Sequence, residues 1–510
     1  MKTLRLILGD QLNINHSWFK KPEDHVLYCL FEMKQETDYV THHIQKVIGF
    51  FAAMRQFNAD LIALGHQTRY LKINDDHNKQ TLEENLARFI KQYNIETFEY
   101  IYPDEYRLDE QLKTFCKTLN IHSKAVSAEH FYTENDELAQ FFEGKKQYLM
   151  ENFYRYMRKK HNILMVANQP EGGTWNYDQS NRNKWTGKTH IPPFKSFNNQ
   201  VSDIVQDIQK AGIKTMGRFN NGYFLYPIDR KQALEQLKYF CETLLIYFGD
   251  YQDAMHTHES NLFHSRLSFA MNLKLISPKD VVNTVLNYYE KHKNKIHISQ
   301  VEGFIRQIIG WREYMHGMYW ACMPEFKNEN TLENTNRLAD FFWTGDTKMN
   351  CLKYSINNSL DFSYAHHIQR LMITGNYALL TQTNPDEVDS WYLGVYIDAV
   401  EWVQITNTRG MSQFADGGKI ATKPYVSSGA YIHKMSNYCE TCHYNKNKKT
   451  EIDACPFNSL YWNFLDDKRP FLKNNYRMGM MYNLLDKMNK DELHNIKLKA
   501  NHIIDHQNEY

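Results

Sequence analysis

From residue 3 to about residue 130, short apolar runs alternate with longer stretches whose apolar positions recur every three or four residues. The runs are Leu4–Leu8, Val26–Phe31, Leu61–Leu64 and Phe98–Tyr102, and the stretches between them include Tyr39–Phe57 and Leu82–Tyr93. This βαβα rhythm predicts an α/β unit, a doubly wound parallel sheet. Such sheets bind ligands beyond the carboxyl ends of their strands, so Asp10 and Gln11 after the first strand and Glu36 after the second are candidates for a binding rim.

Between 131 and 200 the periodicity weakens. Gln169 to Pro193 carries glycines, Trp175, Trp185, Arg182, Lys184 and Lys188 without a sustained pattern, which predicts a linker or a long functional loop. Cations interleaved with aromatics suit a nucleic-acid backbone with stacked bases, and a solvated loop fits the same composition. From 201 to 510 strand-like runs give way to helical patterns such as Val281–Lys291, Gly303–Met318 and Leu360–Thr374, so this part is expected to be almost wholly α-helical. The expected division is therefore 1–130, 131–200 and 201–510.

The chain has 510 residues, enough for two to four domains, and 42% hydrophobic content excludes disorder as the main state. With 60 Lys and Arg against 59 Asp and Glu, a histone-like polycation is excluded and any nucleic-acid surface must be local. No run approaches the roughly 18 apolar residues of a membrane span. A soluble, unexported protein is expected.

Eight cysteines in 510 residues are too sparse for a secreted disulfide scaffold. Cys29, Cys116, Cys241 and Cys322 are isolated and read as buried thiols. Cys439 and Cys442 are two residues apart, Cys455 follows after twelve more, and Cys351 lies 88 positions before Cys439. Three or four thiolates able to reach one point predict a metal centre. His443 completes a Cys-x-x-Cys-His pattern of haem attachment, but that reading strands Cys351 and Cys455. A redox dithiol lacks its thioredoxin-like context. Zinc on four thiolates and a [4Fe-4S] cluster both remain open on spacing, with Cys455-Pro456 echoing ferredoxin runs.

Several segments together resemble the photolyases and cryptochromes, and within them the iron–sulfur bacterial branch that includes prokaryotic (6-4) photolyases. Leu6-Ile-Leu-Gly-Asp-Gln-Leu12 is similar to that branch's first strand. His264-Ser-Arg-Leu-Ser268 with Leu275-Ile-Ser-Pro278, and Trp311-Arg-Glu-Tyr314, resemble segments around the flavin. So do Tyr396-Ile-Asp-Ala-Val-Glu-Trp402, Asn407-Thr-Arg-Gly410 and Phe414-Ala-Asp-Gly-Gly418.

The resemblance implies FAD in the helical part, with Ser265, Leu267 and Ser268 near its phosphates and Arg306, Asp398 and Asn407 around its ring and ribose. It implies a [4Fe-4S] cluster on Cys351, Cys439, Cys442 and Cys455, and a 6,7-dimethyl-8-ribityllumazine antenna at Asp10, Gln11 and Glu36. Tyr364-Ala-His366-His367-Ile-Gln-Arg370 resembles the His-His-x-x-Arg helix of (6-4) photolyases, which makes His367 the expected acid and His366 its helper. Two departures stand out. Leu371 replaces a second histidine one turn later, and Met411 replaces the tryptophan that opens the usual electron path. A substitute path through Trp391, Tyr392 and Trp343 is implied.

Damaged DNA is the expected partner, met by Arg370, Tyr425 and the loop carrying Arg182. The activity implied is blue-light repair of (6-4) photoproducts by a monomer in a bacterial cytoplasm. Two alternatives are a cryptochrome photoreceptor with the same cofactors and a zinc-containing nucleic-acid-binding protein without photochemistry.

Overall fold

The computed structural model describes residues 2–220 and 222–510. Five parallel strands, β1 (Thr3–Leu6), β2 (Val26–Phe31), β3 (Gln67–Leu71), β4 (Thr97–Ile101) and β5 (His122–Val126), lie in the order β3-β2-β1-β4-β5. The register sets Leu6 beside Cys29 and Tyr100. The order reverses between β1 and β4, which opens a crevice beyond their carboxyl ends. The α/β expectation holds.

One strand differs from its predicted place, and a fifth joins the four predicted. Leu61–Leu64 closes the long helix α1 (Ile44–Ala63), and the third strand begins only at Gln67. That edge strand and β5 alternate polar and half-buried residues, so neither shows an apolar run. The central β2 is buried at every position, which is why its run was legible.

The helices α2 (Leu82–Gln92) and α3 (Tyr106–Lys117) cover one face of the sheet. They bury Leu82, Leu86 and Phe89, and Leu108, Leu112 and Phe115, at i, i+4 and i+7 spacing. Each such side chain contributes about 1.5–3 kcal/mol by leaving water. The opposite face packs on α1, whose core runs without a break into the helical region.

α1 also fastens the sheet to the helices. His43 caps it by accepting from Gln45 N, while its Nε2 meets Leu360 O at 2.8 Å. Gln45 donates to Arg218 O and Asp361 O, and Lys46 to Leu393 O. Among the described residues from Ser202 onward the chain is helical apart from one two-residue strand at Tyr223–Phe224. Besides a wide π-type turn at Phe240–Leu244, its helices open into such turns at Arg306–Arg312, Arg370–Gly375 and Thr406–Ser412, a feature often found at functional sites.

Candidate functional site

The last three of these wide turns face one another across a cleft of about 1320 Å³. Gln307, Trp311 and Arg312 enter from the first turn, Arg370 and Leu371 from the second, and Asn407, Thr408 and Ser412 from the third. Ser265, Leu267 and Ser268 line one wall, and His367, Tyr392 and Asp398 line others.

Asp398 is the electrostatic centre of this cleft. It accepts two hydrogen bonds from the Arg370 guanidinium and one of 2.6 Å from Ser268 Oγ. Burial works to raise its pKa, but the Arg370 charge and these hydrogen bonds outweigh it and hold the carboxyl below its ordinary value. Asn407 is oriented by donating to Val403 O at 2.7 Å.

Two buried donors on residues that line the cleft, Arg266 Nε and Arg312 Nε, have no protein partner. Leaving such atoms unbonded is costly, so a cleft with spare donors, apolar walls and two guanidiniums fits an aromatic ligand with a diphosphate. FAD is such a ligand. Sequence reasoning quoted Trp311 and Arg312 within a motif but did not assign them, and it missed Gln307.

His367 sits at the cleft with its surface open to it. Neighbouring protein atoms still take water from the ring. Burial pulls its pKa down to about 4, with Arg370 adding to the effect, so the imidazole is neutral at pH 7. Behind it His366 is buried and stacked face to face on His264, with centroids 4.7 Å apart and planes 9° apart. Burial and the neighbouring histidines keep both rings neutral.

Tyr392 touches the cleft, and Trp391 lies behind it at 5.3 Å between centroids. Trp391 Nε1 donates to Phe342 O, and the next residue, Trp343, is 43% exposed. The three aromatics thus run from the cleft to the surface.

Two assignments are corrected. Arg306 faces away from the cleft, because Glu302 and Asp178 hold its guanidinium at 3.1 and 3.0 Å. Arg370 lines the cleft with His367, held by Asp398 and by Tyr396, whose ring centre is 3.8 Å away. Gln11 is spent on the backbone: it accepts from Leu8 N and donates to Ile101 O and Tyr102 O, which pins the first βα turn to β4.

Asp10 and Glu36 do reach a second cavity, the crevice of about 1020 Å³ at the reversal of strand order. Tyr39, Phe50, Phe51 and Met54 give it apolar walls, and Lys46 and Glu105 add charge. Arg107 holds Glu36 at 2.8 Å. Lys274 lies 2.7 Å from Asp104 and 3.5 Å from Asp10. Burial raises both carboxyls, and the lysine overcomes it only at the nearer Asp104. Burial brings Lys46 down to about 7. The two cavities share a wall, since Asp398 faces the cleft, Ala399 faces both, and Glu401 faces the crevice.

Cys351, Cys439, Cys442 and Cys455 line one small enclosed pocket together with Gly429, whose missing side chain leaves room for Cys455 Sγ. Among the described residues no three His, Cys, Asp or Glu side chains are arranged to hold a single metal ion. Burial, with the other thiols adding to it, raises Cys455 to about 12 and Cys439 to about 11. Cys29 and Cys241 are buried as expected, whereas Cys116 and Cys322 are half-buried.

Arg182 is exposed on the long loop and pairs with Asp178. Tyr425 is half-buried within electrostatic range of Arg182. Trp175 is covered by Arg155, Arg158 and Lys159, and Trp185 by His256, so neither loop tryptophan stands free.

A parallel sheet with a crevice at its reversal point, joined to a helical unit with a donor-rich cleft, defines the fold class of the flavin-dependent photolyases and cryptochromes. The chain belongs to the photolyase family. A family model described as deoxyribodipyrimidine photo-lyase-related protein matches residues 5–224. A (6-4) photolyase of Agrobacterium fabrum is 39% identical over 505 residues, covering 98% of each chain. An uncharacterized protein of Acanthamoeba polyphaga mimivirus, R852, is 27% identical over 202 residues, 38% of this chain and 99% of that protein. In fold, the chain resembles a class III photolyase from Agrobacterium tumefaciens, with a TM-score of 0.56 at 13% identity, over 96% of this chain and 98% of that one. It also resembles a cryptochrome from Synechocystis sp. PCC6803, with a TM-score of 0.55 at 12% identity, over 85% and 88%. Membership in the family implies FAD, which the donors of the helical cleft fit.

Proposed function

We propose that this protein is a light-driven (6-4) photolyase that returns (6-4) pyrimidine–pyrimidone photoproducts in DNA to intact pyrimidines. The observation that carries the reading is His367, a neutral imidazole open to the cleft that fits FAD, next to the Arg370–Asp398 pair. Bound FAD, reduced and excited by blue light, would supply the electron that opens the lesion. The protein's own residues do the rest. Flipping the photoproduct toward the cleft costs a few kcal/mol, least at a damaged base. His367 is neutral in the free protein, so the negative charge of the lesion is what draws a proton onto it from water, and the imidazolium then gives that proton to the photoproduct and recovers it as the transferred oxygen returns to its own base. Leu371 puts no imidazole on the next turn, which leaves His264 and His366 as the neighbouring rings.

Arg182 and Tyr425, close to each other, would meet the DNA beside the lesion. Tyr392, Trp391 and Trp343 would carry electrons inward to reduce the flavin. The crevice suits 6,7-dimethyl-8-ribityllumazine: its aromatic walls fit a bicyclic ring, and Asp10 and Glu36 accept from a ribityl chain. Cys351, Cys439 and Cys455 are kept from ionising by burial and by the neighbouring thiols, a conflict that bound iron would remove. Four thiols lining one small pocket, with Cys455-Pro456 among them, suit a [4Fe-4S] cluster. The reading divides the chain into an antenna unit at 1–130, a connection at 131–200 and a catalytic unit at 201–510. Eight unpaired cysteines suit a reducing bacterial cytoplasm.

The test is anaerobic illumination of the protein with an oligonucleotide carrying one (6-4) thymine photoproduct. Restoration of the undamaged strand only in blue light supports repair. No conversion, with reduced FAD bound, turns the reading to a photoreceptor.

A further inference from the structure

The turn that presents His366 and His367 is tied by one side chain to the loop that carries Cys439. Gln369 folds back so that its Oε1 accepts from His366 N at 3.3 Å, and its Nε2 donates to Tyr438 Oη at 3.0 Å. A backbone N–H can only donate, so the amide orientation is fixed and its nitrogen must face the phenol. Gln369, Tyr438 and His366 are all buried.

Tyr438 precedes Cys439 and lines the cysteine pocket. Its ring stacks on Tyr354, with centroids 6.0 Å apart and planes 8° apart, on the helix Asn350–Phe362 that bears Cys351. Asn350 of that helix also donates to Tyr438 O and Thr441 Oγ1. Tyr438 is thus gripped between two segments that carry the thiols. Burying an amide and a phenol costs more than burying an apolar side chain of the same shape, and what their bonds add is direction.

We propose that Gln369 and Tyr438 are positioning residues through which the intact four-cysteine centre sets His366 and His367 against the flavin cleft. Loss of the centre then loosens the histidine turn before the fold is lost. This rests on the reading of the cysteines as cluster ligands and of His367 as the acid.

The test uses the full-length protein loaded with its cofactors. Gln369→Met removes both hydrogen bonds at similar volume, and Gln369→Glu keeps two acceptors for His366 N–H and the Tyr438 hydroxyl. In Gln369→Met, iron and FAD content and flavin photoreduction are expected to match wild type. Hydrogen–deuterium exchange over 364–372 rises, and conversion per bound lesion falls on the order of 10-fold or more. Gln369→Glu restores both. In wild type, partial removal of iron by a chelator raises exchange in the same segment while far-ultraviolet circular dichroism is unchanged. Should Gln369→Met fail to fold, Tyr438→Phe removes only the phenol oxygen and is read in the same way. Wild-type exchange and conversion in these variants overturn the link. Wild type that lacks iron or does not convert the lesion overturns the underlying reading instead.

Discussion

The Arg370 guanidinium lies side-on against the Asp398 carboxylate, with Nη1–Oδ1 at 2.9 Å and Nη2–Oδ2 at 3.2 Å. Both groups are largely buried, so each neutralises the desolvation of the other. Asp398→Asn leaves the guanidinium without its counter-charge. It is expected to lower unfolding free energy by about 3 kcal/mol and to reduce FAD occupancy, measured by denaturant titration and by flavin absorbance of the purified protein. A variant with wild-type stability and full FAD content contradicts the pair's role.

Trp391 is the buried middle of the aromatic series from Tyr392 to Trp343. Trp391→Phe keeps the ring's packing on Tyr396 and Phe342 but loses the indole and its bond to Phe342 O. Photoreduction of bound flavin is expected to slow severely while FAD content stays constant, followed by absorbance under blue light with an external reductant. An unchanged rate removes Trp391 from the path.

His43 joins α1 to Leu360, and burial lowers its pKa to about 4, with Asp361 and Arg218 the charged groups acting on it. Its unfolded value is near 6.5, so between pH 6.5 and 4 the unfolded chain takes up a proton that the folded one refuses. Stability from this residue is therefore full above pH 6.5 and falls by about 1.4 kcal/mol per pH unit on acidification to about 4. His43→Asn keeps a capping oxygen without this titration. The stability difference between wild type and His43→Asn should shrink with that slope as pH falls, and a constant difference refutes it.

Cys439→Ala removes one thiol of four from a pocket between distant segments. Iron content and visible absorbance of the centre are expected to be lost and the unfolding midpoint to fall, as metal binding and stability are linked at such sites. A variant without iron that keeps the wild-type midpoint contradicts a structural centre.

How much of this was legible in sequence depends on the side chain. Ser268, Asp398 and Asn407 sit in contiguous motifs, and their neighbours along the chain set their direction. Arg306 was misplaced because the wide turn beginning there rotates the helix face, so that Gln307 and Arg312 point to the cleft while Arg306 meets Asp178 from the long loop. Gln11 was misjudged because its partner, Ile101, is 90 residues away. Lys46 was invisible, since a lysine on an apolar helix reads as solvent-facing until Leu393 O is found to hold it. The strand at Gln67–Leu71 was missed because an edge strand need not be apolar.

The central claim is that His367 gives a proton to a lesion held at the flavin cleft. Single-turnover conversion of an oligonucleotide carrying one (6-4) photoproduct, under anaerobic blue light, tests it with wild type beside His367→Asn. With FAD content, photoreduction and lesion affinity matched, the account predicts that conversion by His367→Asn falls by about 10²–10⁴-fold, the usual worth of a general acid. Conversion at the wild-type rate by His367→Asn would contradict it.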